Sequence, residues 1–301
     1  MNVLISGGSG LIGREITKLL LEKGHQVAWL SRSTRSEIAS VQIFQWDPDL
    51  DQIDSEALAF ADAIINLAGS NIAQRWTPHF KNTIIRSRVD GTRLLYNSVR
   101  KSSKKLQAFI SASATGYYPN HPDKVYRETD APGNDFLSLV CQKWEQEAQL
   151  FEDLKIRTVR LRIGIVLDSQ EGALAKIAEP IKWGVGAPLG NGKQWMPWIH
   201  RHDLARIFVY ALENEKLSTG VYNAVGPESV QNKALSKKVA QVLNRPFWLP
   251  PIPAGLLKLI LGEMATITLA STRCSSEKIQ NSGFEYQFPE LEAALKDLYP
   301  N

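Results

Sequence analysis

Cysteine is nearly absent. Cys141 and Cys274 are the only two in 301 residues, which excludes a disulfide framework and leaves no metal-ligand spacing, so a reducing compartment is expected. Long apolar runs are missing as well: "AGLLKLILGEMATITLA" carries Lys258 and Glu263, and no stretch reaches membrane-spanning length. No basic segment precedes the first apolar residues, and glycine interrupts them by Gly7, so they read as a strand rather than a signal peptide. The expectation is a cytoplasmic protein with no membrane partner. Nor does one sign of charge dominate, since 35 basic and 31 acidic residues give a net +4. The densest basic run, "RKSSKK" at Arg100 to Lys105, closes a predicted helix, where cations complement the dipole. Without a basic stripe or an aromatic-interleaved patch, no nucleic-acid partner is expected. The mild basic balance suits an anionic cofactor instead.

What is present is an ordinary globular composition, 44% apolar and 22% charged, with no low-complexity tract. "NVLIS", "QVAWLS", "VQIFQW", "DAIINLA", "LQAFISAS" and "IRTVRLR" are short β-branched or apolar runs separated by helix-length segments. That alternation predicts an α/β fold, a Rossmann-type doubly wound parallel sheet with helices on both faces. "LIGREITKLLLEKG" places apolar residues at 12, 16, 19 and 20 and stops at Gly24, the pattern of an amphipathic helix. After about Arg162 the texture changes to Gly, Pro and Trp, as in "VGAPLGNGKQWMPWIHRHD". A nucleotide-binding domain is therefore expected over 1–165, with returning elements to about 230, and a smaller mixed substrate-side lobe over 166–301. A strand such as "GVYNAV" is free to rejoin the main sheet.

Gly7, Gly8, Gly10 and Gly13 follow a predicted strand and open a predicted helix, the context that a dinucleotide fingerprint requires. The first glycines allow a tight turn, Gly10 lets the backbone approach a pyrophosphate, and Gly13 lets helix and strand pack closely. The helix N-terminus supplies free N–H groups to the phosphates. About 20 residues on, where an Asp or Glu would hold the ribose 2′-hydroxyl of NAD, the second strand ends "WLSRS" with Ser31 and Arg32, and no acid appears before Glu37. Arginine forks onto a phosphate, so NADP is expected over NAD. At the end of the fourth apolar run, Asn66, Leu67, Ala68 and Gly69 offer small residues beneath a nucleotide.

Taken together, "GGSGLIG", "NLAGSNIAQRW", "SASATGYY", "RLRIGIVLD" and "WMPWIHRHDLA" resemble the short-chain dehydrogenase/reductase superfamily. More narrowly they look like its atypical branch, the epimerase family with a C-terminal extension of unknown function, which "GEMATITLASTRCSSEKIQNSGFEYQFPELEAAL" resembles. The likeness implies NADP as cofactor and Gly7, Gly10, Leu11, Ile12, Gly13, Ser31, Arg32, Leu67, Ala68 and Arg88 as its contacts. It also implies that Ser113 is the serine that hydrogen-bonds the reacting carbonyl or alcohol.

The resemblance breaks where the superfamily carries a proton-transferring tyrosine and, four residues later, a lysine that lowers its pKa. The matching positions in "VCQKWE" are Cys141 and Glu145. Lys143 cannot substitute, because two residues turn a helix by about 200°. A carboxylate beside a thiol disfavours the thiolate, so Cys141 reads as a small buried hydrophobe and a poor base. Glu145 either hydrogen-bonds the nicotinamide ribose in the lysine's place or sits on a solvated face. Candidates for the proton are then Tyr117 and Tyr118, just beyond Ser113, and His200, with a pKa suited to neutrality. Asp203 reads as the cap of "LARIFVYAL". Arg75, Trp76, Trp195, Met196 and Trp198 form an aromatic and cationic set suited to a ring and an anion, or simply to a core. The expected partner is a small-molecule substrate bearing a hydroxyl or carbonyl, with nucleotide-linked sugars among the candidates, in an oxidoreductase or epimerase-like reaction. The rival reading is a non-catalytic NADP(H)-binding sensor or scaffold.

Overall fold

Strict alternation within the buried strands fixes the layers. In the strand Asn2–Ser6, Val3 and Ile5 face one way and Leu4 the other, all fully buried; Ala63 and Ile65 against Ile64, and Ala108 and Ile110 against Phe109, repeat the pattern. Each sheet face must therefore be covered by helices. The computed structural model describes residues 1–34, 36 and 38–300. Its strands, in chain order, are β1 (Asn2–Ser6), β2 (Gln26–Ser31), β3 (Gln42–Asp47), β4 (Gln52–Ile53), β5 (Ala63–Asn66), β6 (Ala108–Ala114), β7 (Val125–Tyr126), β8 (Arg157–Ile163), β9 (Ile165–Leu167), β10 (Trp195–Met196), β11 (Trp198–His200), β12 (Gly220–Ala224), β13 (Val230–Gln231) and β14 (Arg273–Cys274). One eight-stranded sheet runs β12-β8-β6-β5-β1-β2-β3-β4, parallel throughout except for β4. "GVYNAV" does rejoin it, as edge strand β12.

The helices α1 (Leu11–Glu22), α2 (Ser55–Phe60), α3 (Pro78–Lys101), α4 (Phe136–Asp153), α5 (Gly172–Lys182) and α6 (Arg201–Glu213) alternate with the strands. Ile16 and Leu20 of α1 and Leu204, Ile207 and Phe208 of α6 bury one face. Leu94, Leu95 and Val99 of α3 and Ala148 and Phe151 of α4 bury the other, where Phe151 stacks on Phe109 with centroids 3.7 Å apart. Each such side chain is worth about 1.5–3 kcal/mol of apolar burial.

The C-terminal part adds α7 (Asn232–Val242), α8 (Ala254–Leu261), α9 (Ala265–Leu269), α10 (Glu277–Asn281) and α11 (Leu291–Leu298). Of the three two-stranded ladders outside the main sheet, β9 with β11, β10 with β13 and β14 with β7, the last ties this part to the N-terminal half. Asp203 does not cap α6. The N-cap is His200, whose Nδ1 accepts from the His202 N–H. Asp203 lies fully buried in the first turn and accepts from the backbone N–H groups of Gln287 and Phe288, both at 2.8 Å, fastening the extension to the sheet.

Candidate active site

The strand order reverses between β1 and β5, and the crevice above such a switch point is where α/β sheets bind ligands. Both bordering segments carry the sequence's small residues. Gly7 adopts φ +74°, and a Cβ there would meet the Leu67 carbonyl carbon at 3.0 Å, so the glycine turn rests on the "NLAG" segment. At Gly13 a Cβ would lie 2.4 Å from the Gly7 oxygen, which is why the helix can start so close to the strand. Gly10 is different: its Cβ would find only the Gly7 oxygen, at 3.4 Å. Open space above Gly10, with no side chain capping α1, leaves the first-turn N–H groups of Leu11, Ile12 and Gly13 for an outside acceptor. Below, Ser6 donates to Asn66 at 2.6 Å and Asn66 to Thr92 at 2.9 Å, locking the two strand ends together.

Arg88 reaches this crevice from α3. It donates to the carbonyls of Ile84 (3.1 Å) and Ser70 (3.2 Å), stacks on Trp144 at 5.1 Å, and touches Gly69 so closely that a Cβ there would meet its guanidinium carbon at 2.9 Å. It has no carboxylate partner among the described residues, and burial pulls its pKa down. Such a guanidinium fits a phosphate. At the far end of the crevice, Ser31 ends β2 and Arg32 is exposed, with no ion pair among the described residues. Glu37, the first acid beyond them, lies outside the described residues. The cradle thus fits a dinucleotide.

The candidate proton-handling residues lie over β6 and α4. Asp135 caps α4 by accepting from the Ser138 N–H at 2.9 Å, and the helix turns Cys141 and Glu145 toward β6 and β8. Cys141 is buried, and its thiol is pushed up to about 12 by desolvation and then by the Glu145 charge, so it stays protonated. Glu145 is not on a solvated face, being 7% exposed. Ser113 Oγ donates to its Oε1 at 2.6 Å, and Arg162 grips both oxygens, at 2.8 and 2.9 Å. Burial pulls the Arg162 pKa down, but the Glu145 carboxylate outweighs it and drives it up. Arg162 is thus the residue that sequence reasoning missed.

Of the remaining candidates, Tyr118 is buried and committed. It donates to Asn223 at 2.7 Å and accepts from Arg162 at 2.9 Å, and burial raises its pKa. Tyr117 is half-buried, its ring 3.4 Å from the Arg162 guanidinium, and its hydroxyl has no partner among the described residues. The structure does not bring His200 to this group. It is 1% exposed, packed at 4.0 Å on Phe288 and 3.3 Å from Asp297, and burial lowers its pKa to about 4. A neutral, enclosed imidazole is poorly placed to donate a proton to an outside molecule.

The substrate-side set divides. Trp198 is fully buried and donates to the Glu228 carbonyl, and Trp76 is buried against Phe136; both are core residues. Arg75 is exposed. Trp195 remains half-exposed, and over its ring, at 4.5 Å, lies the guanidinium of Arg273. Beside Arg273, Cys274 packs with Tyr118, Tyr126 and Val225, so the C-terminal extension borders the tyrosine pair directly.

A reversed-order parallel sheet with a glycine turn at its switch point defines a dinucleotide-binding α/β protein of the short-chain dehydrogenase/reductase type. Residues 3–144 and 166–225 match the NAD dependent epimerase/dehydratase family, and residues 252–298 match a domain of unknown function, DUF1731. The chain is 37% identical over 300 residues to the epimerase family protein YfhF of Bacillus subtilis, covering 99% of this chain and 98% of that protein. The crystal structure of human epimerase family protein SDR39U1 (isoform 2) with NADPH superposes with a TM-score of 0.89 at 32% identity, over the whole of both chains. A nucleoside-diphosphate sugar epimerase from Corynebacterium glutamicum superposes with a TM-score of 0.80 at 28% identity, over 99% of this chain and 58% of that one. This chain belongs to the NAD dependent epimerase/dehydratase family. No helix among the described residues is long and apolar enough to cross a membrane.

Proposed function

We propose that the protein is an NADP(H)-dependent oxidoreductase or epimerase acting on a secondary hydroxyl or the corresponding carbonyl of a small molecule, with Ser113 and Glu145 in place of the superfamily's tyrosine and lysine. NADP(H), when bound, gives or takes the hydride. Arg32 and Arg88, neither with an acid partner among the described residues, support the phosphorylated dinucleotide, as does the NADPH in the human relative's structure.

The observation that carries the reading is the 2.6 Å bond from Ser113 to Glu145. With its proton pointed at a carboxylate, Ser113 presents oxygen lone pairs to a substrate and so accepts from an alcohol. As the alcohol is oxidised, its proton passes to Ser113 Oγ while the serine proton passes to Glu145; reduction runs the same transfers backward. Arg162 holds the carboxylate in place, and Tyr117, its ring against Arg162, has a hydroxyl with no partner among the described residues. The buried Cys141 and the committed Tyr118 favour the second reading, a non-catalytic NADP(H) sensor.

The two separate by experiment. NADPH binding is measured by fluorescence, and carbonyls and nucleotide sugars are then screened, following both NADPH absorbance and product stereochemistry, since epimerisation leaves the cofactor unchanged. Turnover that falls about 10²–10⁴-fold in Ser113→Ala with NADPH affinity retained is the expected outcome. Binding without turnover across the panel would leave the sensor.

A further inference from the structure

Of Arg127, Arg160, Arg162 and Arg273, carried by the turn after β7, by β8 and by β14, all but one have their charge answered by an acid. Arg162 is paired with Glu145, Arg160 with Glu152 and Arg127 with Glu277. Lys124, nearby on the same segment, is paired with Asp130. The exception is Arg273. Its side chain makes no ion pair and no hydrogen bond among the described residues, and its Nε is buried without a partner. A buried guanidinium N–H left unmatched in a native fold calls for an explanation.

Its surroundings are built rather than loose. Trp195, on which Arg273 stacks, is held at three points: its backbone N–H donates to Ser271 Oγ at 3.1 Å, its carbonyl accepts from the Thr272 N–H at 3.2 Å, and its indole N–H donates to the Pro122 carbonyl at 2.9 Å. Stacking uses the face of the guanidinium and leaves its edge, the fork that matches a carboxylate or phosphate, unspent. Arg273 lines a narrow cleft together with Trp195, Met196, Pro197, Glu228 and Thr272, and the one acid among them, Glu228, accepts from the Leu291 N–H. The strand carrying Arg273, β14, pairs with β7 and packs its next residue, Cys274, against Tyr118.

We infer that Arg273, stacked on Trp195, is the oxyanion-binding residue of the substrate site, so that the C-terminal extension selects substrates carrying a carboxylate or phosphate. This rests on the reading of Ser113 and the cofactor cradle as an active site. The extension is then a recognition element that reaches the chemistry through a single short strand.

The full-length protein, first saturated with NADPH so that the cofactor's own phosphate contacts are filled, is titrated calorimetrically with inorganic pyrophosphate and, separately, with malonate. At least one should bind with a millimolar or tighter Kd, and that affinity should fall tenfold or more in Arg273→Gln and less in Arg273→Lys, with NADPH affinity and melting temperature unchanged. Malonate alone binding assigns the carboxylate; pyrophosphate alone assigns the phosphate. If neither anion binds the NADPH-saturated protein, or if Arg273→Gln binds as well as wild type, the inference falls. Should Arg273→Gln not fold, Arg273→Lys with unaltered affinity for both anions overturns it equally. Failure to bind NADPH at the outset would instead overturn the cofactor reading, and the Arg273 dependence of anion binding would still be read on the unloaded protein.

Discussion

Glu145 shows how one substitution redirects a site without altering its scaffold. On the same helix turn where a lysine would donate, a carboxylate accepts, and the strand opposite answers with Arg162. A buried pair of this kind adds little net stability, but removing one partner strands the other charge. Glu145→Gln should therefore cost about 3–5 kcal/mol, measured by urea denaturation, and a change under about 1 kcal/mol would mean that the pair is solvated. At the rim, Arg32→Asp should weaken NADPH at least tenfold while sparing NADH, because only the phosphorylated ribose needs a cation; equal effects on both cofactors, by fluorescence titration, would refute the assignment. That Cys141 and Glu145 stand where the superfamily's pair would be was readable from the resemblance, but the arginine partner of Glu145 was not. "RLR" reads as a strand, and its signal was overlooked: two arginines two apart on a strand face buried by a helix each need an acid, and Glu152 and Glu145 stand two turns apart on α4. Arg160 meets the first and Arg162 the second. His200 was misjudged for the opposite reason, since its ordinary pKa belongs to a solvated ring and the sequence does not display its enclosure by Phe288.

At the scale of elements, the glycine turn separates what folding requires from what binding requires. Gly13→Ala forces a methyl within 2.4 Å of a backbone oxygen, so the strand and helix must move apart, and thermal unfolding should occur several degrees lower. Gly10→Ala meets nothing closer than 3.4 Å and has an N-cap backbone at φ −74°. It should cost no more than about 1 kcal/mol, the scale of an N-cap change, yet lose NADPH binding tenfold or more, because the methyl occupies the phosphate approach. A Gly10→Ala protein that binds NADPH normally would show that the cofactor lies elsewhere. The strands and the first helices were legible because buried parallel strands read as apolar runs and the glycines punctuate them. The two-residue ladders β7–β14 and β10–β13 were not. Strands so short carry no periodicity, and what fixes them is long-range: Thr272 to Trp195, Cys274 to Tyr126.

For the whole molecule, the question is what holds the C-terminal extension against the nucleotide-binding sheet, since that union puts Arg273 beside the tyrosines. Asp203 ties two extension N–H groups to the first turn of α6, and next to it His200 packs on Phe288. Desolvation holds the His200 pKa near 4, against 6.5 for a free ring, although Asp297 and Asp203 pull it upward and Arg201 and His202 push it down. Because the folded-state pKa lies below the unfolded one, the neutral ring's contribution is complete above about pH 6.5 and drains away as pH falls toward 4. Between pH 7.5 and pH 5 that loss amounts to about 2 kcal/mol. In His200→Asn, whose amide oxygen can still cap α6, this component of the acid sensitivity should vanish, so that urea denaturation at the two pH values differs by about 2 kcal/mol less than in wild type. An unchanged pH slope in the variant would mean that the acid-sensitive clasp lies at another carboxylate or histidine, and that the junction of sheet and extension stays closed with His200 charged.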